Sequence, residues 1–226
     1  MIFTDKDLVT KAFIKFFAGL IIISILIFLP AGTLNYINGW IFIIILFVPM
    51  FIAGLILMKK NPELLRKRLN AKEKESEQKG VILVSGIMFL AGFIVSGLNY
   101  RFGWLVLPMW VTIASSILFA LSYLMYAEVL RENEYLSRII EVQENQKVVD
   151  TGLYSVVRHP MYSATVIMFL SIPLILGSLF SFLIFLIYPF TIAVRIKNEE
   201  EVLEKGLEGY SEYKQKVKYR MIPFIW

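Results

Sequence analysis

Six long apolar runs, at 12–29, 39–58, 81–100, 104–126, 161–176 and 179–194, leave this chain few folds to choose from. The first four hold 18 to 23 residues each, enough as helices to cross the ~30 Å of hydrocarbon in a bilayer. Hydrophobic residues make up 58% of the 226-residue chain and charged residues only 18%, and the mean hydropathy is +0.68. A soluble domain is about a quarter charged. The pattern predicts an all-α, polytopic transmembrane helical bundle of about six spanning segments.

The last two runs hold 16 residues each, separated by Gly177-Ser178. Each would span only ~24 Å as a helix. They read as a short C-terminal helical hairpin, tolerated through local thinning of the bilayer or cover from neighbouring helices. One long helix over 161–194 is the competing arrangement. Pro173 and Gly177 argue against it, because together they break or kink such a run.

The charges are clustered. Lys6, Lys11 and Lys15 open the first segment. Lys59, Lys60, Arg66, Lys67, Arg68, Lys72, Lys74 and Lys79 lie between the second and third. Arg131, Arg138, Lys147 and Arg158 follow the fourth, and Arg195, Lys197, Lys205, Lys214, Lys216, Lys218 and Arg220 fill the tail. With six crossings, every basic residue except Arg101 falls on the side of both termini, which the positive-inside rule makes cytoplasmic. The acidic residues fall there too, so ionic chemistry belongs to that face. The net charge of +5 then describes a surface facing anionic lipid, and membrane lipids rather than nucleic acid are the expected partners. Asp5 and Asp7, with no small-residue cleavage site after the first run, mark that run as a retained helix rather than a cleaved signal.

There is no cysteine and one histidine, His159. Disulfides, thiolate nucleophiles and cysteine metal sites are excluded, and a histidine-based metal centre is not expected. No glycine-rich loop follows a strand, so nucleotide-fold chemistry has no support. Residues 1–126 read as a four-helix transmembrane region. Residues 127–226 read as a second region made of a connector, the hairpin and a tail. In the connector, Val129, Leu136, Ile139, Ile140 and Val142 recur at near-helical spacing, which predicts that the fourth helix continues as an amphipathic one. Pro160 suits the first turn of the fifth helix, with His159 near its N-cap.

Three polar groups bracket the hairpin: Gln143 to Tyr154, then Arg158-His159-Pro160-Met161-Tyr162, then Arg195 to Leu203. A hairpin brings its two ends side by side. Arg158, His159 and Tyr162 should therefore face Arg195, Glu199 and Glu200 across one pocket, with a helix N-terminus adding a positive dipole end. Taken singly, each group has an ordinary explanation, such as a headgroup anchor, a helix cap or a solvated glutamate run. Their convergence at one place is what points to a site.

The run from Asn133 to Gln143, then Val148-Val149, Gly152-Leu153-Tyr154, Val157-Arg158-His159-Pro160-Met161-Tyr162, Glu199-Glu200 and Leu203, resembles the isoprenylcysteine carboxyl methyltransferase family. The tail, with Tyr210, Tyr213, Lys216, Lys218, Arg220 and the closing Ile222-Pro223-Phe224-Ile225-Trp226, extends the likeness. The chain departs from that pattern at Leu153, at Asn145-Gln146, and at Lys216 and Lys218, where the family commonly has arginine. The resemblance implies an integral-membrane methyltransferase that uses S-adenosylmethionine on the cytosolic side, with a lipid-facing route for a prenylated or similar lipophilic acceptor. It implies that Gln143, Val149, Gly152, Tyr154, His159, Tyr162 and Glu199 line the cofactor site, and that Arg158 and Glu200 act at the transfer centre. Arg195, Tyr210, Tyr213 and Arg220 are the candidate acceptor-binding residues. No metal is implied. In this expectation Arg158 orients an acceptor carboxylate by charge-assisted hydrogen bonds. A membrane methyltransferase for a phospholipid amine or a small thiol, a sterol-type reductase using NADPH, and a membrane scaffold or small transporter remain open alternatives.

Overall fold

The computed structural model describes residues 6–69, 76–136, 140 and 142–226. Asp5, Lys72, Lys74, Ser137, Arg138, Ile139 and Glu141, which entered the charge, connector and motif readings, lie outside the described residues. Within those residues the regular elements are helical: α1 (Lys6–Ala31), α2 (Ile37–Lys60), α3 (Pro62–Leu69), α4 (Ser76–Phe102), α5 (Met109–Glu132), α6 (Pro160–Ile175), α7 (Leu179–Phe185), α8 (Ile187–Gly206) and α9 (Tyr210–Lys216). A short 3-10 turn, Gly152–Ser155, sits between α5 and α6. The all-helical expectation holds.

Among the described residues, five helical stretches are long and apolar enough to cross a membrane: α1, α2, α4, α5, and α7 with α8 taken together. The remaining apolar helix, α6, has 16 residues, as the short fifth run predicted. Outward-facing apolar side chains are the rule along these helices. Leu29 is 73% exposed, Trp110 70% and Phe190 74%, a surface that only lipid would cover. Inside, α5 packs along α6 and α1 along α4. Phe42, Phe93, Phe119 and Phe185 meet in one aromatic-rich core, with Phe42 edge-on to Phe119 at 6.1 Å. That core also takes in Tyr162, Ile196 and Met221, so it reaches from the early helices to the tail.

Several boundaries differ from expectation, each for a local reason. The fourth run was expected to turn helical at Trp104, but α5 begins at Met109. Pro108 holds the extended N-cap position, and the residue before a proline is disfavoured in helical geometry. Asn99 pins the preceding turn, accepting from the Leu105 amide and donating to its carbonyl. The amphipathic continuation of this helix is a correction too. α5 stops at Glu132, and Asn133 leaves helical geometry as its cap. The Asn133 carboxamide accepts from the Tyr135 amide, a local turn that competes with further helix. Leu136 and Ile140 are buried, but as loop residues.

The hairpin break at Gly177-Ser178 is real, and glycine alone makes it. Pro173 lies inside α6. Gly177 has φ +70°, its amide donates to the Leu174 carbonyl at 3.0 Å, and the Ser178 amide donates to the Pro173 carbonyl at 2.9 Å. This pair of bonds closes a helix end through a left-handed residue. The Ser178 hydroxyl then caps α7 by accepting from the Ser181 amide. The final helical stretch runs on to Gly206, well past the expected end at residue 194, with one interruption at Leu186. Pro189 explains that interruption, because its ring would collide with the carbonyl four residues earlier. α3 was not anticipated. It is a short helix with Arg66, Lys67 and Arg68 in its last turn.

Candidate active site

Helical spacing delivers the central acid. Tyr188, Ile192, Ile196 and Glu200 recur every four residues along α8, and all four are buried. Residues so spaced share one face of a helix. The stripe that packs the apolar core therefore carries a carboxylate at its polar end, where Glu200 is 2% exposed. Opposite it, α6 starts with Pro160 at its first position and His159 as N-cap. The His159 side chain makes no capping bond; its ring faces Glu200 instead, with Nε2 3.2 Å from Oε1.

Glu200 is held from three directions. Arg158 donates Nε to Glu200 Oε1 at 2.8 Å and places Nη2 at 2.8 Å from the same oxygen. From the tail, Arg220 donates Nε to Oε2 at 2.9 Å. Arg158 Nη1 donates to the Val217 and Lys218 carbonyls at 2.7 and 2.9 Å. The Arg158 amide donates to the Tyr219 carbonyl and the His159 amide to the Arg220 carbonyl. A guanidinium has five N–H donors, and Arg158 commits four of them in these bonds. It therefore serves as the keystone of the cluster and has little left with which to orient an acceptor. Buried charges are tolerated only when paired and hydrogen-bonded as these are.

Beside this cluster, Tyr162 donates its hydroxyl to Glu199 Oε2 at 2.5 Å, and Arg195 donates Nε to the same hydroxyl at 2.9 Å. The two rims of the hairpin do meet, as expected.

They border a cavity of about 100 Å³ that opens to solvent. Val149, Tyr154, Arg158, His159, Tyr162, Glu199, Tyr210 and Tyr213 line it. Tyr213 donates to the Tyr154 carbonyl at 2.7 Å, and Asn133 donates to the Tyr154 hydroxyl at 2.8 Å. The Tyr210 hydroxyl is different. It is sealed from solvent and has no hydrogen-bond partner among the described residues, a costly state for a buried polar group. Burial pushes the phenols of Tyr154, Tyr210 and Tyr213 up, so all three remain neutral hydroxyls.

Some expected site residues stand behind the cavity wall. Glu200 and Arg220 form its ionic backing. Gln143 ties the connector together, donating Nε2 to the Tyr135 carbonyl at 2.5 Å. Gly152 has φ +49°, and a Cβ there would overlap the Glu132 carboxylate. That carboxylate accepts from the Leu153 amide at 3.1 Å, which fastens the turn carrying Tyr154 to the end of α5. Asn133, Tyr135, Gln146, Lys147, Met161 and Leu207 also line the cavity and were not singled out as site residues. They are loop or apolar positions whose inward placement has no periodic signature. Around the rim, Lys67 lies over the Tyr135 ring at 5.9 Å and Arg68 over Tyr126 at 5.5 Å, so α3 buttresses this end of the molecule.

Residues 110–208 match the sequence model of a family described as phospholipid methyltransferase. This stretch is similar to a membrane methyltransferase. The match runs from the first turn of α5 to just beyond α8, and takes in Arg158, His159, Tyr162, Arg195, Glu199 and Glu200 but not Tyr210, Tyr213 or Arg220. The matched family is related to the isoprenylcysteine carboxyl methyltransferases without being that family. Together with the five membrane-length helices, it supports an integral-membrane methyltransferase. No curated protein matches the chain.

Proposed function

We propose that the protein transfers a methyl group from S-adenosylmethionine to a lipophilic acceptor at the cavity between α6, α8 and the tail. The observation that carries this reading is the Arg158–Glu200–Arg220 cluster, buried at Arg158 and Glu200, backing a tyrosine-lined cavity, with Arg158 and Glu200 inside a stretch similar to a methyltransferase family. The cavity suits the donor in its chemistry, since it opens to solvent, is lined by tyrosines and carboxylate, and leaves the Tyr210 hydroxyl without a partner among the described residues. Val149, Tyr154 and Tyr162 would hold it, joined by Tyr210, with His159 and Glu199 left to face the acceptor. Bound there, it supplies a methyl group on a cationic sulfur, open to direct attack by a nucleophile. The chain's own task is to align the acceptor and to keep water out. The apolar lining from Leu136, Ile140, Met161, Leu203 and Leu207 serves the second need. By the distribution of basic residues, this face is the cytoplasmic one.

An amine-bearing lipid is the acceptor this geometry favours. Arg158 is largely spent on its own partners, whereas Glu199 and the tyrosine rings offer a negative, aromatic surface suited to an ammonium. The second reading is the carboxylate of an isoprenylcysteine, favoured by the motif series from Asn133 to Trp226.

Transfer of labelled methyl from S-adenosylmethionine to a panel of lipid amines, prenylcysteines and small thiols in purified membranes tests both. Methylated lipid amine is the expected product. Absence of transfer to any acceptor, together with no calorimetric heat from S-adenosylhomocysteine, would overturn the proposal. Heat with NADPH instead would favour a reductase.

A further inference from the structure

The buried ion cluster fixes more than shape; it fixes the tautomer of the only histidine. Glu200 is paired with Arg158 and Arg220, so it is a carboxylate and can only accept. The His159 Nε2 at 3.2 Å from it must therefore carry the hydrogen. In the neutral ring that leaves Nδ1 as a lone pair. Nδ1 has no protein partner among the described residues, nor is it sealed from solvent as the Tyr210 hydroxyl is. His159 is among the residues that wall the cavity. A ring nitrogen freed toward a cavity, with its opposite nitrogen held by a buried carboxylate, is the arrangement of a general base.

We propose that His159 is the proton acceptor for the amine substrate, with Glu200 as its positioning residue. This rests on the amine reading above. A lipid ammonium has no lone pair until it loses a proton. In the step, an ammonium N–H bond breaks and its proton goes to His159 Nδ1. The freed nitrogen lone pair forms the bond to the transferred methyl carbon, while the S–C bond breaks and its electron pair stays on sulfur. The imidazolium, stabilised by Glu200, then returns the proton to water. Charge balances: two cations enter, and a methylated ammonium plus one proton leave beside a neutral thioether. A carboxylate acceptor would need no such base. The charged and titratable groups around the ring are Glu199 and Glu200 of α8, Arg158 before α6, Tyr162 of α6, Tyr210 of α9 and Arg220 of the tail.

The test compares a lipid primary amine with a fluorinated amine of the same chain length that is neutral at neutral pH. In the unaltered protein, kcat/KM for the ordinary amine should rise with pH along a limb that the fluorinated amine lacks. His159→Gln keeps an N–H toward Glu200 and removes the lone pair. It should lower kcat for the ordinary amine by about 10²-fold or more, spare the fluorinated amine to within a few-fold, and leave S-adenosylhomocysteine affinity by calorimetry unchanged. Equal slowing of both amines, or weakened S-adenosylhomocysteine binding that accounts for the loss, would overturn the base assignment. So would identical pH profiles for the two amines in the unaltered protein, a result that stands even if the variant fails to assemble. No turnover of either amine by the unaltered protein, with carboxylate acceptors methylated, would instead remove the amine reading itself.

Discussion

The two ends of the α6–α7 hairpin are built on opposite principles. At the turn, neutral groups close the structure. Tyr36 donates to the Leu176 carbonyl, the Leu107 amide to the Gly177 carbonyl, and Asn38 to Thr112 at 2.9 Å. At the other end, ions do the closing, and the Tyr210 hydroxyl and the Asn198 carboxamide nitrogen are left without a partner among the described residues. A chain that needed only stability would finish both ends the first way, since replacing a buried ion pair with packed apolar groups is often neutral or favourable. On the proposed function, the ionic end keeps its cost because a ligand completes it.

Substitutions can break or sharpen that contrast. Glu200→Ala should have the largest effect, because it strands two guanidinia at once. It is expected to abolish methyl transfer and to destabilise the protein by about 3–5 kcal/mol, read by thermal melting in detergent. Melting as in the unaltered protein would show that the ions are not structural. Gly177→Ala forces a side chain to φ +70° with Asn38 Nδ2 only 2.9 Å from the new Cβ. The expected loss is about 1–2 kcal/mol, with S-adenosylhomocysteine affinity retained; a change in affinity would couple the two ends.

Tyr210→Phe should do the reverse. It removes a hydroxyl that has no partner, so the melting temperature should hold or rise while S-adenosylhomocysteine binding weakens by roughly 2- to 10-fold, the value of one hydrogen bond of about 0.5–1.5 kcal/mol. Unchanged binding would mean that the hydroxyl does not meet the ligand. Smallest of all is Lys216→Met, which removes an exposed partner of Asp150 at 2.7 Å. The Lys216 hydrogen bond holds the Asp150 carboxyl below its usual range. Whatever stability this pair adds is present at neutral pH and fades as acidification protonates Asp150. Solvent screening makes the expected change at pH 7 unmeasurable by melting or turnover, so a clear shift would place this rim inside the site.

Apolar runs in the sequence announced the bundle and the short hairpin, because burial in lipid needs long uninterrupted stretches and nothing else supplies them. The ionic rim was legible too, since a hairpin obliges residues around 158 and 199 to be neighbours. What stayed hidden depends on contacts rather than periods. Arg158 looked available for substrate because nothing in the sequence shows that the Val217 and Lys218 carbonyls would occupy it. The connector looked helical because Leu136 and Ile140 keep helical spacing, while the Asn133 side chain turns the chain locally. Gly152 was expected at the cofactor, and what its geometry shows is close approach to the Glu132 carboxylate.

The backbone pairing of Arg158 and His159 with Tyr219 and Arg220 sets an order of assembly. Helices α1 to α8 can enter the bilayer and find one another before residues 217–220 arrive. Until that strap is laid down, Glu200 lacks one of its two arginines and Arg158 lacks its carbonyl rests. The ionic backing of the cavity is thus complete only where residues 217–220 lie against the start of α6.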